Sequence, residues 1–236
     1  MPVQFMITQI AIRSLNMDFR PFTISIQVAF FATCVTFLLG LAAANFVYRM
    51  KRCKGVVDTI FTLPMILPPT VAGFFLLLLF GRNGFIGRFL EPLGMSVVFS
   101  WAGAVIASIF VSFPLMYRTA RGAFEQIDQN VIYAAETLGL SRFKIFWTIK
   151  VPMAKAGILA GTVLSFARAL GEFGATIMLA GNIPGRTQTM SIAVFSAVSA
   201  GNREVAYVWV AILSMMSFAV IMLMNRWAAD GSGKKT

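Results

Sequence analysis

Two ionisable residues, Arg168 and Glu172, lie within an otherwise uncharged apolar stretch from Ala156 to about Gly181. An isolated charge at the centre of a membrane-crossing helix costs at least about 2.5–3.5 kcal/mol, so such residues usually have a partner or line a polar route. Their spacing of four residues places both side chains on one helical face, where they can neutralise each other. Two interpretations stay open: a structural bridge that fixes helix packing, or a polar route in which Arg168 contacts an anion.

Other reactive residue types are scarce. The sequence contains no histidine and two cysteines, Cys34 and Cys53, neither of which has a partner at CxxC spacing. The lack of histidine excludes histidine-based metal sites and histidine-activated nucleophiles. The nucleotide-binding motif GxxxxGK[ST] does not occur in the sequence. We therefore expect no catalytic residue, no metal site and no cofactor bound by this chain.

The composition indicates a membrane protein. Hydrophobic residues make up 58% of the 236 residues and charged residues 12%, against about 45–50% and about 25% in ordinary soluble domains. A helix needs about 20 mainly apolar residues to cross the hydrocarbon core of a bilayer. The sequence therefore predicts an all-α integral membrane protein, a single transmembrane domain over residues 1–236 with about five spans, near 22–48, 59–80, 93–117, 156–181 and 205–225.

Two apolar segments are too short to cross the membrane. Residues 190–198 lie between polar residues, and we expect an interfacial or re-entrant helix there. The alternative is that this segment joins the residues that follow it and forms a sixth span. Residues 3–12 lack the pattern of a signal peptide, and we expect them to lie on the membrane surface before the first span.

The basic residues predict the orientation. With five spans, segments 49–58, 118–155 and 226–236 lie on one side and carry 13 Lys and Arg residues, whereas the opposite side carries 6. Because basic residues favour the cytoplasmic side, we expect the N-terminus outside, and the C-terminus and loop 118–155 in the cytoplasm. Most of the net charge of +11 comes from the basic residues of these cytoplasmic segments. Because the basic residues form no clustered face, we expect no nucleic-acid partner.

Prolines occur inside two of the expected spans. Pro64, Pro68 and Pro69 lie in the second span, and Pro114 lies in the third. Each proline removes a backbone donor and bends its helix, and the freed carbonyl groups need partners in the protein or in a wet cavity. The bends could serve helix packing alone or shape a pathway through the bundle.

The long cytoplasmic loop carries signals for two short helices. Asp128 can cap the first helix, Gly139 suits the residue that ends it, and Ser141 can cap a second helix, which we expect Pro152 to end. Apolar residues fall on one face of the first helix, and this stripe needs the lipid interface or the groove of a partner; its members are Val131, Ile132, Ala135 and Leu138.

This loop resembles the coupling motif of ABC importer permeases, in which Glu-Ala-Ala is followed by Gly and then by Ile-x-Leu-Pro. The spacing agrees throughout, but Tyr133 stands where the family has Glu, and Val151 where it has Leu. The resemblance implies that the first loop helix docks in a cleft of an ATPase subunit. The coupling residues that it implies are Tyr133, Ala134, Ala135, Leu138, Gly139, Ile149 and Pro152.

A second resemblance covers residues 166–176 and 181–189. These segments are similar to permease subunits of the molybdate, tungstate and sulfate branch of binding-protein-dependent importers. Gly-Glu-Phe-Gly-Ala, from Gly171 to Ala175, is shared with sulfate permeases, and the Pro-Gly-x-Thr-x-Thr segment that ends at Thr189 favours molybdate. The residues expected to line or gate a pathway are Arg168, Gly171, Glu172, Gly174, Thr187 and Thr189.

The resemblance implies a complete transport system. It implies the type I ABC importer permease fold in the cytoplasmic (inner) membrane of the cell, two copies of this chain with the pathway between them, and two ATPase subunits that bind ATP and Mg²⁺. An extracytoplasmic molybdate-binding protein would deliver the oxyanion, molybdate or tungstate. The alternatives are a sulfate or thiosulfate permease, an ion-coupled anion carrier that uses Arg168 and Glu172, and a membrane scaffold.

Overall fold

The computed structural model describes residues 18–50 and 52–232, and this part of the chain contains helices and no strand. The expectation for residues 3–12 lies outside the described residues. The helices are α1 Arg20–Arg49, α2 Lys54–Ile66, α3 Pro69–Phe80, α4 Phe85–Leu90, α5 Trp101–Glu125, α6 Gln129–Thr137, α7 Arg142–Ile145, α8 Val151–Met153, α9 Lys155–Leu170, α10 Gly174–Ala180, α11 Met190–Ser199 and α12 Arg203–Ser232.

The helices have the lengths and the surface of a multi-pass membrane protein. Over the described residues, four stretches are long and apolar enough to cross a membrane: α1, α5, residues 69–93 and residues 203–223. A fifth stretch runs from α7 to α9 and bends by 78° before Lys155. Large apolar side chains on these helices are exposed, as contact with lipid requires, among them Phe30, Leu38, Phe75 and Phe218. The expected all-α membrane class is confirmed.

The core of the bundle is formed by α1, α5 and α9. Alanines on the facing sides of α1 and α5 are fully buried, and small residues let helix backbones approach closely in a membrane; they include Ala29, Ala32, Ala44, Ala104 and Ala120. Near the cytoplasmic end the core continues with larger side chains, Met116, Tyr117 and Phe124 of α5. Near the outer end α11 and α12 join it through Met190 and Trp209.

The third span begins later than expected. Residues 93–100 precede helix α5, and Gly94 and Phe99 have positive φ angles of 67° and 56°. Ser100 then caps the helix by accepting a hydrogen bond from the Gly103 amide at 3.1 Å. The helix continues to Glu125, so the first part of the expected loop 118–155 is the cytoplasmic end of α5.

The second and fifth expected spans are interrupted. Helix α2 ends at Ile66 and α3 begins at Pro69, with Leu67 and Pro68 in extended conformations. The expected continuous helix over 156–181 is wrong, because α9 ends at Leu170 and α10 begins at Gly174. Hydrophobicity does not reveal the first break, because Leu67 and Pro68 are as apolar as their neighbours. At the second break the charged residue, Glu172, has the spacing of a helical pair with Arg168, which favours a continuous helix.

Two of the expected proline bends do not interrupt their helices, and the short apolar segment near 190–198 forms a helix of its own. Pro64 and Pro114 are buried inside α2 and α5, which continue through them. Residues 190–199 form the separate helix α11, packed against α12. Gly201, with a φ of 74°, lies between these helices, so the alternative of one continuous sixth span is wrong.

The two interrupted spans meet at their breaks. A Cβ atom at Gly73 of α3 would lie 2.8 Å from the Ala175 Cα of α10, so these helices touch backbone to backbone. A Cβ atom at Gly174 would lie 2.9 Å from the Pro69 Cβ. The start of α10 therefore sits directly against the start of α3.

We expect Gly73→Ala to separate α3 from α10, because the new methyl group meets backbone atoms that cannot move alone. The thermal unfolding midpoint of the detergent-purified protein should fall, with a loss of about 1–3 kcal/mol. Gly122→Ala is the matched control, since beyond the adjoining backbone of its own helix no described atom lies within 4 Å of a Cβ there, and alanine favours a helix by about 0.5–1 kcal/mol. Equal midpoints for the two variants would contradict the close approach.

Candidate functional site

Arg168 and Glu172 form an ion pair across the end of α9. The Arg168 Nη1 lies 2.5 Å from the Glu172 Oε2, and the Glu172 side chain is 1% exposed whereas that of Arg168 is 32% exposed. The expected pairing is therefore present, although Glu172 lies in the break after α9 and not on the helix itself. Burial of the carboxylate makes the guanidinium its necessary partner.

The second carboxylate oxygen of Glu172 caps the start of the next helix, α10. Oε1 accepts a hydrogen bond from the Ala175 amide at 2.8 Å, and the first amides of a helix have no partner within it. One carboxylate thus joins the last turn of α9 to the first turn of α10. These contacts fit the structural bridge proposed from the sequence. The partly exposed Arg168 keeps further donors for an anion, so its role in a pathway stays a prediction.

The glycines of the expected pathway set differ in their roles. Gly174 faces Pro69 too closely for a side chain. Gly171 has ordinary backbone angles for a non-glycine residue, and a Cβ there would meet only the Ala167 carbonyl oxygen at 3.7 Å. Close packing therefore explains the glycine at position 174, and nothing in the structure explains the one at 171.

Thr187 and Thr189 belong to the connection between α10 and α11. Thr187 is fully buried, and its hydroxyl accepts from the Ile183 amide at 3.0 Å and donates to the Gly181 carbonyl at 3.3 Å. Thr189 is 4% exposed, and its hydroxyl has no hydrogen-bond partner among the described residues. Within the described part of the chain, no hydrogen bond joins either threonine to Arg168 or Glu172. The structure thus gives Thr187 a loop-stabilising role and leaves both as pathway predictions.

The first loop helix forms as expected. Asp128 caps α6 by accepting from the Asn130 amide at 2.9 Å, and Gly139, with a φ of 77°, follows its end. The apolar stripe is divided, however, because Ile132 and Ala135 are buried in the chain's own core. Leu138 is 80% exposed.

Five of the seven expected coupling residues are exposed. On α6 and the turn after it, Tyr133, Ala134, Leu138 and Gly139 form an exposed patch, which we call the coupling surface. Pro152 is also exposed, Ile149 is half-buried, and Ala135 is buried. Docking of this surface on an ATPase stays a prediction.

The second loop helix is longer than expected. Ser141 caps it by accepting from the Lys144 amide at 3.3 Å, but the helix does not end at Pro152. It passes through a π-helical turn over Phe146–Lys150 and continues to Met153. The wider turn ends two residues before Pro152, which cannot donate a backbone hydrogen bond. We call Arg142–Met153 the connecting helix.

Sequence reasoning missed an ion network at the cytoplasmic ends of α2 and α5. Asp58 accepts hydrogen bonds from Arg121 and, at 2.9 Å, from the Tyr117 hydroxyl. Glu125 accepts from Arg121 at 3.1 Å and from Lys54 at 2.8 Å. The i, i+4 spacing of Arg121 and Glu125 was the one available signal. The network fixes α2 to α5 where α5 enters the coupling loop.

The charge balance of this network sets the pKa of Asp58. Burial acts to raise the pKa of the carboxyl group, but the hydrogen bonds from Tyr117 and Arg121 and the positive charges of Arg121 and Arg118 outweigh it. The pKa of Asp58 therefore lies below its ordinary value. A carboxylate with a lowered pKa stabilises the fold above the unfolded-state pKa of about 3.9, and this stabilisation is lost as the pH falls through the folded-state pKa.

Comparison with known proteins identifies relatives over nearly the whole chain. Residues 36–228 match the family described as "Binding-protein-dependent transport system inner membrane component". The chain is 44% identical to the putative molybdenum transport system permease protein YvgM of Bacillus subtilis over 88% of this chain and 92% of the relative. It is 38% identical to the molybdenum transport system permease protein ModB of Escherichia coli, over 90% and 93%.

The fold also has solved counterparts. One is a bacterial alginate ABC transporter in complex with an alginate pentasaccharide-bound periplasmic protein, which matches with a TM-score of 0.68 at 14% identity. The match covers 91% of this chain and 77% of that one. The expected type I ABC importer permease fold is confirmed.

Glu172→Gln should destabilise the protein, because the neutral amide leaves the Arg168 charge without its counter-ion. Since Arg168 is partly exposed, the loss should fall below the about 3–5 kcal/mol typical of a broken buried pair. The double variant Arg168→Gln, Glu172→Gln should recover part of this loss. Thermal unfolding of the variants and of Arg168→Gln completes a double-mutant cycle, and strictly additive effects would contradict the pairing.

Asp58→Asn should lower the free energy of unfolding by about 1–2 kcal/mol at pH 7, because a charge-assisted, partly exposed network is broken. As the pH falls from about 4, near the unfolded-state pKa, through the lowered pKa of Asp58 in the folded protein, this stabilisation is lost and the two proteins should converge. Thermal unfolding between pH 3 and pH 8 measures this difference. Tyr117→Phe removes one hydrogen bond and should give a smaller loss with the same pH dependence, and a pH-independent difference would contradict the network.

Proposed function

Because the chain belongs to the family of binding-protein-dependent transport system inner membrane components, we propose that it is the permease subunit of an ATP-driven importer of molybdate. Tungstate, a tetrahedral oxyanion like molybdate, would use the same route. The observation that carries this proposal is the similarity, over nearly the whole chain, to permeases named for molybdenum transport.

We propose that two copies of the chain assemble in the cytoplasmic membrane with two ATPase subunits and an extracytoplasmic molybdate-binding protein. The exposed coupling surface supports the ATPase contact, because Leu138 is 80% exposed on a cytoplasmic loop, where an apolar side chain favours a partner's groove. The complex of the alginate transporter with a periplasmic protein supports the contact on the outer side. ATP and Mg²⁺ would be bound by the ATPase.

The connectivity suggests how the ATPase would drive the pathway. The coupling surface on α6 leads into the connecting helix and then into α9. At the far end of α9, Glu172 links Arg168 to α10, and α10 packs against α3. Movement of α6 would therefore reach both interrupted spans through this chain of contacts.

Arg168 would contact the oxyanion. Its guanidinium donates to one oxygen of the Glu172 carboxylate, and its remaining N–H groups can donate to a tetrahedral oxyanion. Glu172 would keep this cation neutralised while the pathway is empty. Thr187 and Thr189 remain in the proposed pathway set with Gly171 and Gly174.

A sulfate or thiosulfate permease is the closest alternative, since the motif from Gly171 to Ala175 is shared with sulfate permeases. Competition between molybdate, tungstate and sulfate for the purified binding protein would distinguish the substrates. An ion-coupled carrier is the second alternative, and it would need no ATPase.

The proposal is tested by uptake into vesicles that contain this chain, the ATPase and the binding protein. We expect molybdate uptake that requires ATP, and Leu138→Asp should reduce it at least about tenfold by placing a charge in the docking cleft. Gln126→Asp is the control, because this position is exposed in the same region but lies outside the coupling surface. Uptake without ATP would contradict the proposal and favour the ion-coupled carrier, and sulfate uptake that molybdate does not inhibit would favour the sulfate permease.

A further inference from the structure

A polar pocket lies between the cytoplasmic end of α1, the coupling helix α6 and the connecting helix. It has a volume of about 270 Å³, and we call it the basic pocket. The residues of its lining that matter here are Tyr48, Arg49, Tyr133, Glu136, Arg142 and Lys150. The pocket is separate from the Arg168–Glu172 pair and was not apparent from the sequence.

Positive charge in the basic pocket exceeds negative charge. Of the described residues that line it, Arg49, Arg142 and Lys150 are basic and Glu136 is acidic. Across the described part of the chain, none of these four forms an ion pair within 4 Å. Tyr133 of the lining adds no compensating charge.

Lys150 is the most deeply placed of these cations. The residue is 3% exposed, and its ammonium group lies 3.9 Å from the centre of the Tyr48 ring, a favourable position for a cation. Burial and the charge of Arg49 lower the pKa of this group to about 8, against the opposing effect of Glu136. At pH 7 the group is therefore mostly charged and lacks an anionic partner.

An apolar groove adjoins the basic pocket along α1. The groove has a volume of about 520 Å³, and Arg49 lines both it and the basic pocket. Its walls include Leu38 and Phe46 of α1 and Phe143 and Trp147 of the connecting helix. From Arg49 to Leu38 a helix rises by about 16 Å, which is about the depth of one leaflet of the hydrocarbon core.

We propose that the groove and the basic pocket together bind one anionic phospholipid of the cytoplasmic leaflet. The phosphate of the headgroup would contact Arg49, Arg142 and Lys150, and an acyl chain would lie along the groove. The charge of the pocket selects an anion, and basic pockets between membrane helices on the cytoplasmic side bind anionic headgroups. A free phosphate or an acidic side chain of a partner would leave the groove unexplained.

The bound lipid would hold α1 against the connecting helix. The lipid thus touches the same segment that carries motion from the coupling surface to α9. This assignment rests on charge and shape alone and does not depend on which substrate the protein transports.

The test is the rise in thermal unfolding midpoint when phosphatidylglycerol is titrated into the full-length protein in neutral detergent. We expect a larger rise than with phosphatidylcholine, and no rise with millimolar inorganic phosphate. Arg142→Gln should weaken the phosphatidylglycerol effect about fivefold, the loss expected for one basic residue near an anionic surface, and Lys150→Gln should do the same. Lys144→Gln, an exposed position on the same helix outside the pocket, should leave it unchanged.

Ala42→Trp tests the groove separately from the charges. Ala42 is exposed and lines the groove, so an indole there should displace the acyl chain and weaken phosphatidylglycerol binding at least about fivefold. If Lys150→Gln does not fold, Arg142→Gln and Ala42→Trp still decide the matter, because both positions are exposed. Equal responses to the two lipids, equal responses of Arg142→Gln and Lys144→Gln, or stabilisation by phosphate alone would each overturn the proposal.

Discussion

The structure depends on one constraint: a backbone group inside hydrocarbon has no water to bind. A span can be interrupted there only if protein atoms take over the open hydrogen bonds. The breaks at Leu67–Pro68 and Gly171–Phe173 satisfy this requirement differently. Proline has no backbone N–H group. Pro68 and Pro69 therefore lower the number of N–H groups that need an acceptor at the first break. At the second, the Glu172 carboxylate takes up the Ala175 amide.

The hydrogen bond to the Ala175 amide explains why a charged residue, Glu172, lies in the second break. A carboxylate is a strong acceptor for a helix amide, but burial makes it costly without a cation. Arg168, one turn earlier, supplies that cation. The interruption, the ion pair and the glycines that let α10 reach α3 are therefore parts of one arrangement. The same arrangement leaves Arg168 partly exposed at membrane depth, where the proposed transport of an oxyanion needs a cation.

Sequence patterns predicted the elements that depend on local chemistry. The membrane class, the caps at Asp128 and Ser141, and the pairing of Arg168 with Glu172 each rest on composition or on spacings of a few residues. The break at Gly171–Phe173 was missed because the i, i+4 spacing of Arg168 and Glu172 favours a continuous helix, and what allows the break is contact between Gly174 and Pro69, about a hundred residues apart. Asp58 and Lys150 were missed for the same reason, since Arg121 and Tyr48 reach them only in the folded chain.

The bend of 78° before Lys155 has a mechanical consequence. If α9 runs along the membrane normal, the connecting helix lies nearly in the plane of the membrane and acts as a lever arm on α9. A helix of this length, residues 142–153, measures about 18 Å, so a rotation of about 10° at the bend displaces its free end by about 3 Å. A sideways push at that end would thus turn α9 about its own axis, so the bend would convert motion parallel to the membrane into rotation of a membrane helix.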